Sequence, residues 1–145
     1  MVFYEGPDIS DGSVAIGAVR VTDDSAPSGH WRLTGGRDPS VLYFGVTSSA
    51  VQVGEIVLHD IDRENRESLV AYRIFDPRLR GRGIGSRALA LLQTYVQSRT
   101  DLRSLVIITS RDNPASKAIA VRNGFEDVGV PREDPADGVV LRWST

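Results

Sequence analysis

The 145-residue chain contains no cysteine, which excludes disulfides, thiolate nucleophiles and cysteine metal ligands. It has two histidines, His30 and His59, too few for an ordinary catalytic zinc site, so no metal is expected. No apolar run approaches the ~20 residues of a membrane span. The opening, MVFYEGPDIS, lacks a basic stretch followed by an apolar one and does not read as a secretory signal, so the cytoplasm is the expected location. A surplus of positive charge is missing too. Lys and Arg number 17 against 19 Asp and Glu, a net −2, which offers no broad field to nucleic acid or to a membrane surface. Repeats and low-complexity linkers are also absent. With 41% hydrophobic and 25% charged residues, the chain reads as one globular domain over 1–145.

The first half carries strand signals. SVAIGAVRV (13–21) and VLYFGV (41–46) are β-branched and aromatic runs, separated by a stretch rich in Gly, Ser, Asp and Pro (22–40). VQVGEIVLHDI (51–61) and SLVAYRIF (68–75) flank a charged connection and predict a hairpin. Asp76-Pro77 ends its second strand, because proline restrains the residue before it. After Gly83 the period changes. Ile84, Ala88, Leu91, Leu92, Tyr95 and Val96 share one helical face, with Arg87, Thr94 and Gln97 away from it. LRSLVIIT (102–109) reads as a buried strand. DNPASKAIAVRNGF (112–125) predicts a second helix with Asn113 as N-cap, Pro114 at the first helical position and Gly124 as the stop. FEDVGV and VVLRWS suggest a closing hairpin. The expected class is α+β: a mostly antiparallel sheet in which one crossover helix makes 68–75 and 102–109 parallel.

Between that hairpin and the first helix stands RGRGIGS, a strand-to-helix loop with glycines at 81, 83 and 85. Glycine lets a backbone approach an anion, and free N–H groups of a first helical turn point at it. Arg80 and Arg82 could add charge-assisted contacts. The plainer alternative is a tight turn with a solvated basic rim. A P-loop requires Lys-Ser/Thr after its last glycine, whereas Ser86-Arg87 follow here. A dinucleotide fingerprint requires a third glycine where Ser86 stands, although Asp101 lies at a distance suited to a ribose contact.

Arg80-Gly81-Arg82-Gly83-Ile84-Gly85, followed at this spacing by NPASKAIAVRNGF, resembles the two signature segments of the GNAT superfamily of acyl-CoA-dependent N-acyltransferases. The likeness runs over roughly residues 41 to 143. It implies the GNAT fold, with a splayed parallel strand pair and flanking helices. It also implies acetyl-CoA as cosubstrate. Amides from Arg80 through Gly81, Arg82, Gly83, Ile84 and Gly85 to Ser86 would cradle the coenzyme A pyrophosphate. The pantetheine arm would run along Arg73, Ile74 and Phe75, and a main-chain N–H near Arg73 would polarise the acyl carbonyl. Asn113 and Ser116 would approach the arm and the sulfur. The Asn-x-x-Ser of NPAS is similar to the branch that acetylates protein N-termini, notably of ribosomal proteins.

The chain also departs from the family. A tyrosine often placed four residues before the glycine of Gly-Phe, to protonate the departing thiolate, is replaced by Ala120. The strand LVIIT lacks the glutamate that often serves as base. Ser116 is therefore the candidate catalytic group, against the alternative that it only caps the helix. Glu55 and His59 share a strand face, and histidine suits amine deprotonation near neutral pH, but the plainer reading has both facing solvent. Residues 22–40 show little of the helical period that usually walls the acceptor site. That side is therefore expected to be open, or completed by a second copy in a homodimer.

The expected function is transfer of an acetyl group to a small-molecule or protein amine by direct attack, since no cysteine can carry a covalent intermediate. The alternative is a non-catalytic acyl-CoA-binding module of the same fold.

Overall fold

The computed structural model describes residues 2–20, 39–131 and 136–145. Within them, one nine-stranded sheet carries two helices. Its strands are β1 (Val2–Phe3), β2 (Ile9–Ser10), β3 (Val14–Gly17), β4 (Leu42–Ser48), β5 (Val51–Asp62), β6 (Glu67–Ile74), β7 (Ser104–Ser110), β8 (Glu126–Gly129) and β9 (Gly138–Ser144). The order is β2-β3-β4-β5-β6-β7-β9-β8, with β1 added in parallel to β4. Helix α1 spans Ile84–Arg99 and helix α2 spans Pro114–Arg122. The predicted hairpins are present: β5 pairs antiparallel with β6, and β8 with β9. α1 is the crossover that makes β6 and β7 parallel.

The strand expected over 13–21 stops at Gly17, where its pairing with β4 ends on two facing glycines, Gly17 and Gly45. Glycine offers a sheet no side chain to pack. Strands β1 and β2 are unexpected, because two residues are too few to show a period of two. The expectations on 22–40 fall, up to residue 38, outside the described residues.

Two irregularities shape the central strand. Between the pairs Val46–Gly54 and Thr47–Gln52, β5 carries an extra residue, Val53. Such a bulge bends a strand and re-aims its side chains. Gly54 is essential to it: a Cβ there would stand 2.2 Å from the Arg73 carbonyl oxygen of β6. A second shift falls between His59 and Asp62, with Asp60 in the left-handed region at φ 48°.

The parallel ladder of β6 and β7 has three registered pairs, the last being Leu69–Val106. Beyond it β6 runs on to Ile74 and β7 to Ser110, and the two strands part. This is the expected splay.

One face of the sheet packs under α1, where Leu89, Leu92 and Val96 are fully buried against Phe44, Ile56, Leu58 and Leu105. Leu89 and Gln93 extend the buried stripe past the predicted face, because α2 covers α1 from a second side. Gln93 donates to the Asn123 carbonyl at 2.8 Å, and the Asn123 side chain donates to the Ser86 hydroxyl at 3.0 Å, fixing one helix to the other. Tyr4, Phe44 and Tyr95 form an aromatic cluster with centroids 4.7 to 5.6 Å apart. The stop of α2 is a Schellman cap. Phe125 N–H bonds the Ala120 carbonyl and Gly124 N–H that of Val121, with Gly124 at φ 86°.

Several turns depend on aspartates that accept main-chain N–H bonds: Asp11 from Val14, Asp62 from Asn65 and Asp127 from Gly129. These bonds hold each carboxyl below the ordinary aspartate range. The folded protein thus binds their protons less readily than the unfolded chain. The stability they add is present above about pH 4 and is lost as pH falls through the lowered values. A thermal-melt series from pH 6 to pH 2 should show the midpoint holding near pH 5 and dropping progressively below 4.

Candidate active site

The loop is built in three steps. Asp76 caps a short 3₁₀ turn over Pro77–Leu79 by accepting from Arg78 N–H at 2.9 Å. Arg80 N–H then closes that turn on the Pro77 carbonyl at 3.2 Å. Gly81 and Gly83 follow in the left-handed region, at φ 77° and 81°, which turns the chain into α1. The first helical bond runs from Arg87 N–H to the Gly83 carbonyl, so the amides of Ile84, Gly85 and Ser86 lie outside the helical ladder. They crown a 16-residue helix with no acidic residue in its first turn. Of the amides expected to cradle a pyrophosphate, that of Arg80 is already bonded to the Pro77 carbonyl. The Arg80 guanidinium donates to the Ile74 carbonyl at 3.2 Å, at the edge of the cleft.

A Cβ at Gly81 or Gly83 would meet nothing within 4 Å, whereas one at Gly85 would stand 3.3 Å from Ile119 of α2. The first two glycines thus serve the turn and keep its outer side open. Gly85 lets the helices approach.

The loop opens on a cleft of about 580 Å³. Arg73, Ile74 and Arg80 line it from the β6 side, and Gly81, Gly83, Ile84, Gly85 and Ser86 from the loop and α1. Asn113 and Ser116 line it from α2. Two candidates lie elsewhere. Arg82 lines a separate hollow with Arg87 and Ser13. Phe75 turns its amide to the Val53 carbonyl at 2.9 Å, and its ring lies 5.2 Å from the Arg73 guanidinium.

A second cavity, about 210 Å³, fills the splay and shares Tyr72, Asn113 and Ser116 with the first. Where they meet, the Tyr72 hydroxyl stands 3.0 Å from the Ser116 carbonyl oxygen and 3.1 Å from the Ser116 hydroxyl. Burial raises the phenol's pKa, opposed by the Ser116 bond, so near neutral pH the phenol keeps its proton and can donate. The helix cap is provided by Asn113, whose side-chain oxygen accepts from Ser116 N–H at 3.1 Å. The Ser116 hydroxyl thus pairs with Tyr72, and Asn113 does the capping. Nothing in the sequence singles out Tyr72, since one aromatic residue within a strand carries no signal of what it reaches. Ala120, one turn beyond Ser116, is fully buried in the core.

Glu55 and His59 do share a face, but their surroundings differ. Glu55 is fully buried and paired with Arg73 at 3.3 Å, which corrects the expectation that it faces solvent. His59 is partly exposed, lies 2.8 Å from Asp60, and lines the splay cavity.

The chain matches the acetyltransferase (GNAT) domain family over residues 11–126. A segment of 74 residues is 40% identical to the ribosomal-protein-serine acetyltransferase of Escherichia coli K12, covering 50% of this chain and 40% of that enzyme. The match thus spans well under half of that relative's length. The fold is similar to a ribosomal L7/L12 alpha-N-protein acetyltransferase, RimL, solved with coenzyme A. The TM-score is 0.77 at 19% identity, covering 95% of this chain and 98% of that one. It is also similar to a Vibrio cholerae spermidine N-acetyltransferase solved with coenzyme A and spermine. There the TM-score is 0.68 at 16% identity, with 80% and 70% covered. With the family model matched over residues 11–126 and the parallel strand pair splayed, this chain belongs to the GNAT acetyltransferase family.

Proposed function

We propose that this chain transfers an acetyl group from acetyl-CoA to a primary amine by direct attack, and that the acceptor is a protein N-terminal amine. One observation carries the reading. The cleft at the head of α1 and the cavity in the splay between β6 and β7 adjoin, with Tyr72, Asn113 and Ser116 in the walls of both, and the Tyr72–Ser116 hydroxyl pair stands at that boundary. The amides of Ile84, Gly85 and Ser86, at the positive end of α1, suit a pyrophosphate, and Arg80 adds charge at the rim. The edge of β6 beyond Leu69, not laddered to β7, suits an extended arm with amide groups of its own. When bound, coenzyme A supplies the acyl group as an activated thioester. A main-chain N–H of β6 near Arg73 polarises the acyl carbonyl, and the Tyr72–Ser116 pair supplies a proton to the departing sulfur. The E. coli relative's name, together with Asn113 and Ser116, supports a peptide acceptor.

The test is release of coenzyme A thiol from acetyl-CoA with a panel of amines: peptides with N-terminal serine or alanine, a polyamine and free lysine. Steady release with the peptides, well above hydrolysis, is expected. Coenzyme A binding without amine-dependent release would instead support the non-catalytic module, the reading favoured by Ala120 and by a β7 that lacks an acid.

The cradle has its own prediction. Gly83→Val should weaken coenzyme A binding at least tenfold by calorimetry, about 1.4 kcal/mol. A branched side chain there fills the open outer side of the turn and resists a positive φ. Unchanged affinity in a folded variant would reduce the loop to a turn.

A further inference from the structure

We propose that His59, oriented by Asp60, is the general base that removes the proton from the acceptor amine, an inference that rests on the acetyl-transfer reading. Neighbouring residues in a regular strand point to opposite faces. His59 and Asp60 do not: Nδ1 and Oδ2 are 2.8 Å apart. The register shift after His59 and the left-handed backbone of Asp60 bring the carboxylate round to the ring. Positive φ in a non-glycine residue is sparsely populated, and it persists where the surroundings enforce it. Here the Ser68 hydroxyl, on a fully buried residue, donates to the His59 carbonyl at 3.1 Å and holds the backbone at the start of the bulge.

The position is as telling as the pairing. His59 lies opposite Leu69, the residue at which the β6–β7 ladder ends, and its side chain lines the splay cavity that Ser116 and Asn113 also line. A carboxylate can only accept, so Nδ1 carries the hydrogen bonded to Asp60 and Nε2 keeps a lone pair for a proton. The cavity then has a base from β5 and the hydroxyl pair from β6 and α2. Among the described residues, the other ionisable group in its walls is Tyr72, and those from β7 (Ile107, Ile108, Thr109) and α2 (Asn113, Ser116) are uncharged. Beside Asp60, Asp62 and Arg63 line a neighbouring hollow. Glu55, on the same face, is held in its pair with Arg73.

Nε2 of His59 first takes a proton from the ammonium form of the acceptor; the freed lone pair bonds the acyl carbon, and the proton then in excess on nitrogen passes to water. The carbon–sulfur bond breaks with its electron pair on sulfur, and the thiolate takes a proton from the Tyr72–Ser116 pair, which is replenished from water. The imidazolium returns its proton to solvent through the exposed side of the ring.

The experiment compares the full chain with His59→Gln and Asp60→Asn, using acetyl-CoA and a peptide with N-terminal serine, from pH 6 to 9.5. The acetyl-CoA Kd is measured in parallel. His59→Gln should lower kcat/KM for the peptide about thirtyfold near pH 7. The deficit should shrink towards pH 9.5, where the amine is already neutral, and the Kd should stay within about twofold of the parent's. Asp60→Asn, which tolerates the left-handed backbone, should lose less, about fivefold. A deficit of equal size at every pH, or no deficit, overturns the proposal while acetyl transfer stands. Absence of amine-dependent turnover in the unsubstituted protein overturns acetyl transfer and this proposal with it. If His59→Gln does not fold, His59→Ala with added imidazole decides the matter: restored turnover supports the base, and no restoration overturns it.

Discussion

Gly54→Ala is expected to cost about 3 kcal/mol of folding stability, at the upper end for overpacking by a single atom. At this chain length that amounts to a fall of about 10 °C in the melting midpoint. The new Cβ would stand 2.2 Å from the Arg73 carbonyl oxygen, and the obstacle is main chain. A side chain could rotate away. A carbonyl fixed in a hairpin cannot move without moving β5, β6 or both. The displaced stretch of β6, from Arg73 to Ile74, also lines the larger cleft, so coenzyme A affinity should fall along with stability. Gly85→Ala is the control. Its Cβ would meet the end of the Ile119 side chain at 3.3 Å, which can yield, and its cost should stay near 1 kcal/mol or below. Equal midpoints for the two variants would show that the bulge at Val53 tolerates a side chain and that the close approach is incidental.

Ser116→Ala should lower turnover at saturating acetyl-CoA about tenfold to a hundredfold. That is short of the largest effects of acid catalysis because a thiolate is already a fair leaving group. Coenzyme A affinity should hardly change. The cap of α2 survives, since Asn113 bonds the Ser116 amide rather than its hydroxyl, so the stability cost should be below about 1 kcal/mol. Tyr72→Phe separates the two hydroxyls. It removes the bond to the Ser116 carbonyl as well as the one to its Oγ. If the phenol supplies the proton, Tyr72→Phe should lose as much turnover as Ser116→Ala, and the double variant little more. Normal turnover in both would remove the pair from catalysis, leaving positioning and the main-chain donor to account for the rate. The raised phenol pKa adds a check on stability. The folded state holds that proton more tightly, so the Tyr72 contribution is complete below about pH 10 and is lost above it.

The elements legible in the sequence are those with a local cause. Gly124 and Pro114 mark helix ends whatever lies around them, and β-branched runs mark strands. The loop is legible for the same reason, because its glycines answer to backbone conformation. What escapes a reading of the sequence depends on partners distant in the chain. Tyr72 meets Ser116, 44 residues on, and the buried Glu55 has Arg73 opposite it on β6. Gly85 reads as part of the cradle, but the near neighbour a side chain would strike is Ile119, on another helix. The pairing of His59 with Asp60 needs a bulge that no period in the sequence announces.

The short ladder between β6 and β7 has a mechanical consequence. Strands β2 to β6 lie on one side of it and β7, β9 and β8 on the other, with three registered pairs as the bridge. Sheets normally keep unpaired edges at the margin; here two such edges face each other in the middle. The halves are therefore joined like leaves on a hinge, with α1 and α2 laid across the fold. A strand-like molecule placed in the gap would act as the missing strand, stitching the leaves together. Whatever occupies it would raise the stability of the whole sheet with the logarithm of its concentration over its dissociation constant, so folding and ligand binding would share one free energy.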